Sequence, residues 1–140
     1  MGSKTSHLEM IQAIINRMSV NSFLLKGWSV VLISALFALA AAESNIAFIM
    51  LAYFPAIAFW CLDGYFLHQE RLYRDLYDHV RSYKDEEIDY AMDTRSVANK
   101  GNSWAVSTIS KTLLLFHGAV IGSIIVVMLI VLFYPVAKGA

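Results

Sequence analysis

The chain has 140 residues, 58% of them hydrophobic and 16% charged, with a formal net charge of zero. This apolar share and a mean hydropathy of +0.56 exceed the roughly 45–50% apolar content of soluble domains. They argue against an ordinary soluble fold, and the balanced charge names no partner by bulk electrostatics. The single cysteine, Cys61, excludes an internal disulfide and reads as a small buried hydrophobe within an apolar run.

From the N-terminus, Ser6-His7-Leu8-Glu9 fits a capping box, with hydroxyl and carboxylate satisfying free backbone amides at a helix start. Leu8, Ile11, Ile14, Ile15 and Met18 follow at helical spacing, opposite Glu9, Gln12, Asn16 and Arg17. The pattern predicts an amphipathic helix in the headgroup layer or against a membrane bundle, ended by a bend at Asn21-Ser22. No cleavable signal peptide is expected, because the first apolar block starts late and lacks a small-residue cleavage site.

Three apolar blocks come next: Phe23–Ala42, Ile46–Leu67 and Thr112–Val136. Each has about 20 residues or more, enough to cross a ~30 Å hydrocarbon core as a helix. Lys26 and Trp28 sit where interfacial anchors belong. Ser34, Ala38 and Ala42 form a small-residue stripe that permits close helix approach. Only Glu43-Ser44-Asn45 separates the first two spans, which predicts a tight antiparallel hairpin, and Pro55 is expected to kink the second. That span passes into a charged helical pattern reaching Tyr83, with Leu62, Phe66, Tyr73, Leu76, Val80 and Tyr83 on one stripe. Asn99 to Ser103 is the clearest turn signal before the third span.

The expected class is therefore all-α: three transmembrane helices, an N-terminal amphipathic helix and a cytoplasmic helical extension. The division is 1–22, 23–67, 68–111 and 112–140. Cations flank the first span on its N-terminal side and fill the 68–111 segment, whereas the short hairpin has none. By the positive-inside rule the N-terminus and the 68–111 region face the cytoplasm. That region is too small to bury a core of its own and is expected to order against copies of itself or a partner.

Asp63 is the one ionisable residue well inside a predicted span. It reads as an interfacial acid paired with Arg71 or Lys26, as a pore or gating residue, or as a site of direct proton chemistry. His117 reads as a hydrogen-bonded interface histidine or a sensor. Gly118 and Gly122, four apart, are expected at a close helix contact, either between subunits or within one. Arg74, Arg81, Lys84, Arg95 and Lys100 would form an anion site if several subunits converge; in one subunit the neighbouring acids cancel them. Arg74 and His79 match the R-x4-H spacing of HEPN ribonucleases, which makes a membrane-tethered nuclease the least favoured alternative. No nucleotide-cradling loop, zinc spacing or nucleophile elbow occurs, so neither cofactor nor enzyme activity is expected.

Two stretches, Lys26–Ala42 and Phe54–Arg81, with Trp60, Asp63, Tyr65 and Glu70–Tyr73, resemble small bacterial membrane proteins encoded with anti-phage defence genes. These are the SLATT-type effectors and the channel subunit of Hailong-type systems. The third span lies outside the two-span SLATT pattern. The resemblance implies a homo-oligomeric inner-membrane channel controlled by a nucleotide or oligonucleotide that a partner nucleotidyltransferase makes. Opening would depolarise the membrane and halt the infected host. The rival expectation is a non-conducting membrane anchor that recruits a cytoplasmic partner.

Overall fold

Between Ser3 and Glu43 the chain has no proline and a single glycine, Gly27, and it folds as one helix. The computed structural model describes residues 2–98 and 102–134. Helix α1 spans Gly2–Glu43 and helix α2 Ala47–Ser82; 3₁₀ turns follow at Asp85–Glu87 and Thr94–Ser96. The five-residue helix α3, Trp104–Thr108, leads into helix α4, Lys111–Phe133. The described residues are helix, turn and loop without a strand, and α1, α2 and α4 are each long and apolar enough to cross a membrane. The Asn99–Gly101 part of the expected turn and the tail after Tyr134 lie outside the described residues.

Two expectations at the N-terminus are corrected. The helix begins at Gly2 and passes through Asn21-Ser22 without a bend, so Ser6 lies within it rather than at a cap. The reason is a partner surface. Ile11 and Ile15 of α1 pack with Leu76 and Val80 of α2 in a buried cluster, and Ile88, Met92 and Val97 of the following loop close over it. The N-terminal half of α1 thus supplies the core that the 68–111 region lacks by itself. Lys4 fastens the far end by donating to the Tyr83 carbonyl at 2.5 Å and the Arg81 carbonyl at 3.4 Å. A cation on the last carbonyls of α2 also meets the negative end of its dipole.

The α1–α2 hairpin closes as tightly as the sequence suggests. Ser44 takes a φ of 49° and Asn45 N–H reaches the Ala40 carbonyl at 3.3 Å, a Schellman-type ending. The Asn45 side-chain oxygen accepts from Ala47 N–H at 2.9 Å and starts α2. Helix α2 continues through Pro55 unbroken. Its buried line is Ile49, Ala52, Ala56, Asp63, Gly64, Leu72, Leu76 and Val80. Leu62 and Tyr83, expected on the packed stripe, are exposed instead. Near the hairpin, Ile33 and Ala40 pack with Ile49, Ala52, Ala56 and Ile124 of α4.

Gly64 is where α3 crosses α2. A Cβ added there would stand 2.9 Å from Thr108 Cβ and 3.0 Å from Thr108 Cα, so backbone as well as side chain would have to move. Gly64→Ala should therefore destabilise the fold by about 1–2 kcal/mol, the strain of overpacking outweighing the gain in helix propensity. Thermal unfolding in detergent measures this. Gly118→Ala, where an added methyl meets nothing within 4 Å, is the control and should leave monomer stability unchanged or raised.

Candidate functional site: a buried polar cluster joining the apolar helices

Asp63 faces inward because it continues the Ile49–Ala52–Ala56 line that packs α2 on α1. At its level α1 presents Ser22 and Lys26, one turn apart, and α4 presents His117. All three apolar helices therefore contribute. Lys26 Nζ lies 2.5 Å from Asp63 Oδ2, and His117 Nε2 lies 2.8 Å from the same oxygen. Ser22 donates its hydroxyl to Asp63 Oδ1 and accepts from Lys26 Nζ at 2.8 Å. With a neutral imidazole, the carboxylate partner places the ring proton on Nε2, and the group is then one ammonium, one carboxylate and one neutral ring. Its net charge is zero, which makes burial tolerable.

Aromatic rings enclose this group. Trp60 stacks on His117 with centroids 5.8 Å apart and planes 7° apart. Phe116 meets the imidazole edge-on at 5.0 Å, and Lys26 Nζ lies 5.9 Å from the Phe116 centroid. Trp60 Nε1–H donates to the Thr108 carbonyl at 2.9 Å, and Trp104 Nε1–H donates to the Cys61 carbonyl at 3.2 Å. Helix α3 is thereby strapped across α2 beside the cluster. Asp63 and His117 are both 0% exposed. Two buried polar atoms nearby along these helices, His117 Nδ1 and Ser29 Oγ, have no hydrogen-bond partner.

Of the two cations considered for Asp63, Lys26 is the partner; Arg71 instead reaches the buried Ser107 hydroxyl at 3.3 Å. The sequence reading missed Ser22, taken there for a bend, and the stacking of Trp60 on His117. The four-residue spacing of Ser22 and Lys26, on the helix that pairs with Asp63, was the available signal.

The other expected site residues lie apart from this cluster. Ser34 and Ala38 are exposed on α1. A methyl group added at Gly118 or Gly122 would meet no atom within 4 Å, so neither glycine serves a close contact inside the chain. Arg74 pairs with Glu70 at 2.7 Å, Arg81 with Asp78 at 3.4 Å and Arg95 with Asp93 at 2.6 Å. The Arg95 guanidinium holds the Asp93 carboxyl below its ordinary range. Lys84 is exposed at the start of a 3₁₀ turn, and Lys100 lies outside the described residues. A cavity of about 300 Å³ between α2 and the following loop is lined by Glu87, Asp89 and Asp93 with His79 and Tyr83. Arg74, Arg81, Lys84 and Arg95 do not line it. His79 tilts against Tyr83 at 4.7 Å, while Arg74 is engaged with Glu70. Among the described residues no group of three His, Cys, Asp or Glu could hold a metal ion.

The class that fold and site define is an all-helical protein with three helices long and apolar enough to cross a membrane, joined by one buried ion pair and a histidine. No family model, curated protein or solved structure matches this chain.

Removing one member of a buried pair strands the other. Asp63→Asn should therefore cost about 3–5 kcal/mol, whereas the double change Asp63→Asn with Lys26→Met should recover most of that loss. Unfolding midpoints of the two single variants and the double variant in one detergent test the coupling. Additive losses would show that the pair contributes nothing as a pair.

Proposed function

We propose that this chain is the subunit of a homo-oligomeric ion channel of the bacterial inner membrane, an effector of anti-phage defence whose opening answers a nucleotide or oligonucleotide signal. The observation that carries the reading is the neutralised Lys26–Asp63–His117 cluster, buried where three apolar helices meet on a helix pair that continues well beyond it. Polar groups at such a depth are costly and mark functional positions in membrane proteins. Here they act as a latch that holds the three spans together in the closed state.

The cluster lies roughly 24 Å from the hairpin end along α2, within a ~30 Å hydrocarbon core and near its far side. The cation-free hairpin faces outward, and the N-terminus and the 68–111 region face the cytoplasm. Trp28 and Trp104 are about half exposed at the level of Lys26 and α3, as an interfacial belt requires. The hairpin of α1 and the long α2 then forms a lever that carries movement of the cytoplasmic part to the latch. The defence role and the nucleotide signal rest on the resemblance of Lys26–Ala42 and Phe54–Arg81 to the SLATT and Hailong proteins. In one subunit the arginines are held by their own acids, so an anion site needs residues from neighbouring copies. The signal would come from a nucleotidyltransferase.

The second reading, a non-conducting anchor that recruits a cytoplasmic partner, is favoured by one fact: the cluster is self-contained and 0% exposed at Asp63 and His117. Ion flux separates the two. Purified protein in liposomes with a potassium gradient should conduct when a panel of linear and cyclic nucleotides is added, and Asp63→Asn should leak without any ligand. An oligomer that stays tight throughout, including the Asp63→Asn variant, would leave the anchor. The unused face at Gly118 and Gly122 adds a prediction about assembly: Gly118→Leu or Gly122→Leu should reduce oligomer size by native mass spectrometry without unfolding the subunit.

A further inference from the structure

We propose that Asp63 exchanges its counter-ion: proton uptake on His117 Nδ1 moves the carboxylate from Lys26 of α1 to His117 of α4, and Lys26 leaves for the headgroup layer. The inference rests on the cluster's geometry and holds whether or not the assembly conducts.

The geometry makes the two bases rivals. Lys26 Nζ and His117 Nε2 both bond the same oxygen, Oδ2, at 2.5 and 2.8 Å. With a neutral imidazole there is one cation for one anion. A proton taken from water onto Nδ1 adds a second cation beside the same oxygen, breaks no covalent bond and raises the cluster's net charge to +1. In a poorly screened site two like charges sharing one oxygen repel strongly, so one of them leaves.

Which one leaves follows from their surroundings. The Lys26 side chain is 20% exposed, whereas that of His117 is 1% exposed. Lysine carries its charge on a flexible stem that reaches the interface while its methylenes stay in apolar contact. His117 is held between Trp60 and Phe116, and a stacked indole face favours an imidazolium over a neutral ring. The other groups around His117 offer no competing charge. Helix α3 brings Ser107 and Thr108 and contains no ionisable residue. Arg71 on α2 is turned to Ser107, Ser22 on α1 is neutral, and Lys111, the nearest ionisable residue on α4, is exposed. The unpartnered Nδ1 is the free position for the proton. The exchange loosens α1 from α2 at this level and tightens α2 on α4, which makes the cluster a two-state element in the sense that switching requires.

Trp60 reports the event directly, because a stacked imidazolium quenches indole emission and a neutral imidazole does not. The full chain with Trp28→Phe and Trp104→Phe, which leaves Trp60 as the one indole, is titrated in nanodiscs of phosphatidylcholine from pH 8 to pH 5, the range in which imidazoles change charge. Emission should fall on acidification, and His117→Gln should abolish the fall. Lys26→Met, by removing the rival, should move the midpoint up by about one pH unit or more, a tenfold gain in proton affinity. Asp63→Asn should move it down. A fall that does not depend on His117, or a Lys26→Met midpoint that stays put or moves down, overturns the exchange. Should Lys26→Met fail to fold, Lys26→Gln takes its place. Nitrogen-15 chemical shifts of His117 in the unsubstituted protein then read the protonation state without any variant of the pair, and a ring that stays neutral down to pH 5 also overturns it.

Discussion

The structure is organised around one carboxylate with no access to water. An ionised Asp63 at 0% exposure is tolerable only with a cation and with its oxygen lone pairs satisfied. Lys26 supplies the charge, while Ser22 and His117 supply further donors. These demands fix the relative height of three helices. A slip of α1 by one turn would carry Lys26 about 5.4 Å along the axis and leave both charges stranded. The same holds for α4, which is otherwise buried only at Leu113 and Ile124. The polar cluster thus sets register in a bundle whose other helix contacts are largely apolar and less demanding of a single alignment.

A single pair of helices serves two different surroundings. Near the hairpin the outer faces of α1 and α2 are apolar, with Val30, Val31, Leu39, Met50, Leu51 and Phe54 exposed. Beyond the cluster the same pair keeps an apolar seam, Ile11 and Ile15 against Leu76 and Val80, and its outer faces become charged. Neither helix breaks where the outer faces change from apolar to charged. Lys4 on the carbonyls of Arg81 and Tyr83 closes the end farthest from the hairpin, so the pair is tied at the hairpin, at the cluster and at its far end.

Much of this is legible in the sequence, and the failures have physical causes. Length and hydropathy locate the three long helices, and three residues between apolar blocks leave room only for a tight turn. The misreadings arise where a local signal competes with a partner that a single segment does not reveal. Ser6-His7-Leu8-Glu9 has the chemistry of a cap, but a helix packed on Leu76 and Val80 starts earlier than its best cap. Asn21-Ser22 suggests a bend on propensity alone, yet Ser22 is held in the helix by Asp63, 41 residues further along the chain. Leu62 reads as core and Asp63 as the awkward neighbour, whereas the buried line takes Asp63 inward and leaves Leu62 out. The sequence offers His117 and Asp63 only as separate candidates; their contact depends on where α4 docks, which no spacing within either helix encodes.

The cluster's completeness constrains any mechanism that passes ions. A pore needs polar groups facing a shared path, but in this subunit Ser22, Lys26, Asp63 and His117 are engaged with one another. A polar path through an assembly would then require the cluster to open and lend its groups to a lumen. In a conducting assembly, opening would cost the ion pair, and leak would then be suppressed by the same contact that sets register. If the subunit conducts, an input at the charged end of the α1–α2 pair would act on the one contact that both joins the three helices and holds the groups a conducting state would need.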